Sequence, residues 1–301
     1  MNAISPVWPV KTEEHDVAII DSTRWDHLAF REDDIVIATY AKCGTTLTQQ
    51  IVSQLVFDAD PSVYGAGFTV SPCLEMQPPG VDFLATLEAQ THRRFIKTHL
   101  PVRQLTYSPR ARYITVGRDV RDIVWSFHNH QRGMRADLVE IINRTAGRPF
   151  IDAEPDVRDF YHRFLDEGGS QGMPFWRHIQ GWWDIRGLPN LLTLHYADLI
   201  GDMPGQFRKI AAFLDIPLDE AKLPLMLQHC SLEHMRNVAT ADGGPDIAFD
   251  RGPDTFINKG TNGRWRDVLT PAEIARADEV AARELTPDCA AWLRDGTWPA
   301  A

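Results

Sequence analysis

Residues 34–57 read DIVIATYAKCGTTLTQQIVSQLVF, and the fold class turns on how this stretch divides. Residues 34–40 form a short apolar run, with acids before it and Ala41-Lys42-Cys43-Gly44 after it. A run this short, apolar throughout rather than alternating, predicts a strand of a parallel sheet with both faces covered. From Thr45 the period changes, and Leu47, Ile51, Leu55 and Val56 fall on one helical face over 45–57. A strand, a loop containing glycine and a helix make the opening unit.

Working outward, residues 93–97 (RRFIK), 111–116 (ARYITV) and 190–196 (NLLTLHY) are further strand candidates. The second runs into Gly117-Arg118-Asp119, where Asp119 can cap a helix over 120–131 with Ile123, Val124 and Phe127 inward. The polar stretch 132–170 reads as a surface excursion with an acidic helix near 155–167. Phe175, Trp176, Ile179, Trp182 and Trp183 recur at helical spacing and predict a packed core helix over 174–186. Pro204 opens a helix over 204–214, with Phe207, Ile210, Ala211 and Leu214 inward. Residues 240–264 hold five Gly and two Pro among few aliphatics, which predicts a long binding or lid loop. Thr270-Pro271-Ala272-Glu273 opens a terminal helix. Strands alternating with helices argue for an α/β fold with a mainly parallel central sheet flanked by helices, here one domain over 1–301 with a short extension at 1–30. Ligands in such sheets bind outside the carboxyl ends of the strands.

Composition narrows the function. Across 301 residues, 44% are hydrophobic and 24% charged, which is ordinary globular usage and excludes wholesale disorder. Lys and Arg total 31 against 41 Asp and Glu, a net charge of −10 that argues against a nucleic-acid partner while leaving room for a small basic pocket. Cys43, Cys73, Cys230 and Cys289 form no C-x-x-C pair, so neither zinc nor thioredoxin-type redox chemistry is indicated. No signal-peptide pattern opens the sequence and no apolar run approaches about 18 residues, so the expectation is a cytoplasmic chain without a membrane partner.

Four segments carry chemistry. In Tyr40-Ala41-Lys42-Cys43-Gly44-Thr45-Thr46, helix N-terminal N–H groups, the Lys42 charge and the hydroxyls of Thr45 and Thr46 suit a phosphate. The order is not that of a Walker A loop, because the Lys precedes the Gly. In Ile96-Lys97-Thr98-His99-Leu100-Pro101, a His at a strand end beside a Lys can serve as a general base. In the third, Arg118 can hold a second phosphate bidentately, with Ser126 two turns along the following helix. His128-x-His130 does not read as a metal site, since residues two apart on a helix face different ways. The fourth, Phe256–Trp265 (FINKGTNGRW), can close over an anion.

Together these segments resemble the cytosolic sulfotransferase family. TYAKCGTT is similar to its T-Y-P-K-S-G-T-T loop for the 5′-phosphosulfate of 3′-phosphoadenosine 5′-phosphosulfate (PAPS), FIKTHLP to the segment with its catalytic His, VGRDVRDIVWSF to its 3′-phosphate grip, and FINKGTNGRW to its closing loop R-K-G-x-x-G-x-W. The resemblance runs from about residue 34 to 275. It implies PAPS as cofactor and a P-loop-like site. Lys42, Cys43, Gly44, Thr45 and Thr46 would cradle the phosphosulfate, with Lys42, Lys97 and His99 catalytic. Arg118, Ser126, Asn258, Lys259 and Gly260 would hold the 3′-phosphate. Leu47, Tyr196, Cys230 and Leu232 would lie near adenine. Residues 240–265 would close on the cofactor. Leu74 and Glu75, in SPCLEM, fall where the family builds its acceptor pocket. Phe83, with Phe68, Met76 and Phe150, suggests a partly apolar acceptor hydroxyl or amine. Ala41, Cys43, Leu47, Cys230, Leu232 and Asn258 depart from the family pattern, and the family's dimer motif is too degraded at Arg266-x-x-x-Thr270-Pro271-x-x-x-Ala275 to imply a dimer. Two rivals stand beside this reading. A phosphoryl-transfer enzyme would need a Walker A Lys and a Mg²⁺ carboxylate, and a non-catalytic nucleotide-binding module would lose the base.

Overall fold

The computed structural model describes residues 6–76, 80–152, 154–242 and 247–299. Its centre is a four-stranded parallel sheet of β1 (Ile35–Ala38), β2 (Phe95–Thr98), β3 (Arg112–Gly117) and β4 (Leu191–His195), in the order β2-β1-β3-β4. In register, Ile37 faces Lys97 on one side and Ile114 on the other, and Gly117 faces His195. Every residue of β1 is buried, as its unbroken apolar run predicts. The chain passes from β1 to β2 on one side and then crosses back to β3 on the other, so the crevice between β1 and β3 is a topological switch point, where open α/β sheets bind ligands.

Both faces are covered. Ile35, Ile37, Phe95, Ile114 and Val116 join one core with Leu47, Ile51 and Leu55 of the helix Thr45–Val56. Val36, Ala38, Ile96 and Tyr113 join another with Trp25, Leu74, Phe83 and Trp182. The first helix is buried almost all round rather than on one stripe. Three of its glutamines are anchored in place: Gln49 donates to Ser71 Oγ at 2.9 Å, Gln50 accepts from Gly65 N at 2.9 Å, and Gln54 pairs with His229 Nδ1 at 2.7 Å.

Helices form at Val120–Arg132, capped by Asp119, at Phe175–Asp184 and at Met203–Phe213, each close to the sequence expectation. The terminal helix Pro271–Glu284 carries a full capping box between Thr270 and Glu273. Two expectations are corrected. The stretch 132–170 holds a helix at Ala136–Ala146, and its later helix Val157–Glu167 buries Phe160, Tyr161, Phe164 and Leu165 instead of standing at the surface. The long loop is narrower than expected, because Leu232–Asp242 and Pro253–Phe256 are helical; its residues 243–246 lie outside those described. The sequence signal failed there because charged residues alternate with the apolar ones. A further helix, Pro287–Asp295, packs Trp292 over the end of β3, where a Cβ on Gly117 would meet its ring at 2.3 Å. No helix among the described residues is long and apolar enough to cross a membrane.

The starts of β1 and β2 are tied by a buried ion pair. Arg94 Nε donates to Asp34 Oδ1 at 2.7 Å and its Nη2 to Ala29 O at 2.9 Å, with both side chains 2% exposed or less. Arg94→Ala leaves Asp34 as an uncompensated buried charge and is expected to cost about 3–5 kcal/mol in urea unfolding, whereas a paired apolar replacement of both residues recovers most of it. A loss below about 1 kcal/mol for the single variant would show the pair to be dispensable.

Candidate active site

The four chemistry-bearing segments converge at the carboxyl edge of the sheet. The turn after β1 is shaped by two left-handed residues, Lys42 at φ 69° and Gly44 at φ 103°. Gly44 is required on two counts. Its φ suits glycine, and a Cβ there would meet Tyr196 Cδ2 at 2.6 Å. With Gly44 as N-cap and no side-chain cap, the first N–H groups of Thr45–Val56 remain without an intrahelical partner, as an anion site needs. Thr45 Oγ1 pairs with Thr39 Oγ1 at 2.5 Å and Thr46 sits in the same first turn. The Cys43 N–H donates to Tyr40 O at 3.2 Å, and its thiol is buried in the core and pushed up to about 12 by burial.

His99 follows β2 and is held at two points. Its backbone N donates to Glu75 Oε1 at 2.7 Å, and its Nδ1 lies 2.7 Å from Thr39 O. A carbonyl only accepts, so Nδ1 carries the proton and Nε2 keeps its lone pair. Burial first and the Lys97 charge second push His99 down to about 3, so the ring is neutral at physiological pH. Lys42 is pushed down to about 7 by burial, then by Arg118, Lys97 and Arg264.

Arg118, at the end of β3, stacks on the Tyr196 ring at 4.2 Å. It donates to Lys42 O at 2.9 Å, Asn262 Oδ1 at 3.0 Å and Thr261 O at 3.2 Å, so it bridges the first loop and the closing segment. Ser126 lies one turn after Asp122 and one before His130, so the three share a helix face. Asp122 accepts from Gly263 N at 2.6 Å and His130 reaches Lys42, which turns that face toward both loops. Tyr196 Oη donates to Gly260 O at 3.1 Å. Leu47, Tyr196 and Cys230 share one core cluster with Leu232 packed against it, which joins the residues expected around a base. Asn258 gives its carbonyl to Arg236 at 2.6 Å, and Lys259 is exposed.

The acceptor residues fare differently. Leu74 and Phe83 are buried in the core cluster with Val36, Ile96 and Trp182. Glu75 is also buried: Oε1 accepts from His99 N and Thr98 Oγ1, and Oε2 from Trp25 Nε1 at 3.0 Å, so it positions the His99 segment. Sequence reasoning missed His178, a wholly buried ring near His99 with both nitrogens unpartnered, pushed down to about 3 by burial. Its helix was read as core, and nothing in the aromatic spacing marks one polar member. It also missed Arg264 beside Lys42 and Asp122 under the closing segment. No cluster of three or more metal-ligating residues occurs among the described residues.

Residues 32–288 match the family model described as a sulfotransferase domain. A glycolipid sulfotransferase of Mycobacterium bovis is 34% identical over 308 residues, covering 92% of each chain. Sulfotransferase 1C2 of Oryctolagus cuniculus is 28% identical, covering 89% of this chain and 88% of that one. Among solved structures, a retinol dehydratase in complex with androsterone and the inactive cofactor PAP aligns with a TM-score of 0.70 at 22% identity, over 89% of this chain and 87% of that one. A mouse sulfotransferase complexed with PAP aligns with a TM-score of 0.71 at 20% identity, over 92% and 93%. The chain thus has the α/β fold of these enzymes.

The depressed His99 predicts a flat titration. Imidazole resonances of His99, assigned by comparison with His99→Gln, should not shift between about pH 5 and pH 8, where an ordinary histidine passes its midpoint near 6.5. A midpoint inside that window would show that the ring is open to solvent and that the Thr39 contact does not hold it.

Proposed function

The chain belongs to the sulfotransferase family and is a PAPS-dependent sulfotransferase, and from that membership we propose how its residues divide the work. The carrying observation is His99, neutral and locked through Nδ1 to Thr39 O, with Lys97 and Lys42 beside it at the same sheet edge. The reaction is an in-line displacement at sulfur. The acceptor oxygen forms a bond to sulfur while the bond from sulfur to the bridging oxygen of the nucleotide breaks, leaving PAP. His99 Nε2 takes the acceptor proton. Lys42 offsets charge building on the bridging oxygen and Lys97 charge on the sulfuryl oxygens. Preorganised donors of this kind are worth about 3 kcal/mol each in the transition state.

The nucleotide follows from the same geometry. The free N–H groups of the first helical turn, with Lys42, Gly44, Thr45 and Thr46, receive the 5′-phosphosulfate. Arg118, Ser126, Lys259 and Gly260 receive the 3′-phosphate, and Leu47, Tyr196, Cys230 and Leu232 form the surface for adenine. Asn258 contributes its carbonyl to the Arg236 brace of that segment.

The acceptor is a hydroxyl on a molecule with an apolar body. His130 is ringed by Phe249 at 4.9 Å and Phe256 at 5.9 Å on the Lys42 side of the site, with Met134 bridged to Phe249. The unpartnered ring of His178 offers a polar contact close to His99. Acceptors of this kind accord with the glycolipid named for the mycobacterial relative and the androsterone held by the retinol dehydratase.

Nucleotide binding is tested by thermal shift. PAP should raise the melting temperature by ligand linkage, and ATP, without a 3′-phosphate, much less. Equal shifts would count against the assignment. Arg118→Ala should weaken PAP binding by roughly 1.5–3 kcal/mol, from lost charge-assisted hydrogen bonds; an unchanged Kd removes Arg118 from the site. His99→Ala should lower kcat about 10²–10⁴-fold with PAP affinity retained. Collapse of PAP binding in that variant would instead make His99 a structural support, and another base would have to be sought.

A further inference from the structure

Two basic side chains meet at the carboxyl edge of β1 in a way that sulfuryl transfer does not require. Lys42 Nζ lies 3.3 Å from His130 Nδ1 and 5.3 Å from the centroid of the Phe256 ring. The imidazole of His130 packs against Phe127, Phe249 and Phe256, which fixes its plane. An ammonium has three donors and no acceptor, so His130 presents a lone pair at Nδ1 and carries its proton at Nε2. The charged and titratable groups facing Lys42 are Arg118, Lys97, Arg264 and His130 itself. Those facing His130 are Lys42, Lys97 and His99. None of them is a carboxylate. The backbone of Lys42 is pinned, since its carbonyl accepts from Arg118 and its φ is left-handed. What remains adjustable is the far end of its side chain.

We infer that His130 is the resting partner of Lys42, a positioning residue, and that an arriving nucleotide phosphate draws the Lys42 side chain off His130, its neutral amine taking up one proton from solvent to become the ammonium that faces the phosphate. The inference rests on the reading of Lys42 as a nucleotide ligand. Its physical basis is a reversal of local sign. In the free protein, burial and three cations hold Lys42 down at about 7. His130 is held well below its ordinary range by burial and by Lys42, so it accepts a hydrogen bond without storing the proton. A bound phosphate puts negative charge against the same nitrogen and restores an ordinary lysine. Above about pH 7 the free protein therefore carries fewer protons than the complex. Binding then takes up a proton, and affinity falls toward a limit of tenfold per pH unit. Below that point Lys42 is charged in both states and the dependence vanishes.

Calorimetric titration of PAP into the full chain, in HEPES and in Tris, reads the exchanged proton directly from the two buffer ionisation heats. At about pH 8 the phosphates of PAP are already ionised, their second pKa being about 6, so the uptake belongs to the protein. The wild type should take up close to one proton. Lys42→Arg, whose guanidinium stays charged, should take up none. His130→Phe keeps the ring packing and removes the acceptor. Charged Lys42 then loses its partner in the free protein, so the pH at which affinity begins to fall should move down. Equal heats in the two buffers with PAP bound would overturn the inference and leave the nucleotide reading standing. An unchanged pH profile in His130→Phe would overturn the part given to His130. Absence of both binding heat and thermal stabilisation by PAP would overturn the underlying reading, and the inference with it.

Discussion

The site depends on holding like charges together. Lys42, Lys97, Arg118 and Arg264 converge on the crevice between β1 and β3, and each of the other three lowers Lys42. Left free, such side chains would swing apart into water. The backbone prevents this. Strand register places Lys97 beside Ile37 of β1, a left-handed turn fixes Lys42, and Arg118 is trapped between the Tyr196 ring and three oxygen acceptors. Asp122 tempers the cluster from below, next to Arg118 and Arg264, while its carboxylate also holds Gly263 N. An unfavourable arrangement persists because the surrounding structure over-determines it, as expected where a site must be ready for an anion.

Tyr196 is the piece that makes distant segments one site. Its ring lies where a Cβ of Gly44 would be, its face carries Arg118, and its hydroxyl reaches Gly260. Three loops far apart in sequence are thus indexed to a single rigid side chain at the end of β4. Rigid support of this kind keeps a first layer of ligating groups within the small tolerances that transfer chemistry needs.

Much of this was legible in the sequence, for identifiable reasons. The four strands announced themselves because a doubly covered strand is a continuous apolar run, and the Thr270–Glu273 capping box because its chemistry is local. The four loops were recognisable because their residue types follow from the ligand. What escaped was set by tertiary context. Nothing local distinguishes Glu75 as a brace under His99 from a carboxylate lining a pocket, and that role appears only once Trp25, Thr98 and His99 all point at it. The spacing of His128 and His130 correctly sent them to different faces, yet gave no sign that one caps Glu154 O while the other meets Lys42. Nor did the loop's residue types show that the turn folds the Cys43 N–H back onto Tyr40 O.

The bonds of Arg118 to Lys42 O, Thr261 O and Asn262 Oδ1 bear on exchange. A guanidinium with three of its five donors occupied by the chain is never left bare when a ligand departs. Any phosphate that binds there does so in competition with these internal acceptors, so its affinity is a difference between two well-satisfied states. As a product phosphate loosens, the same oxygens stand ready to take its place one at a time, which divides a single large loss of contact into smaller steps. On the proposed nucleotide reading, the closing segment would thereby work as a tethered competitor, trading tightness of grip for speed of turnover.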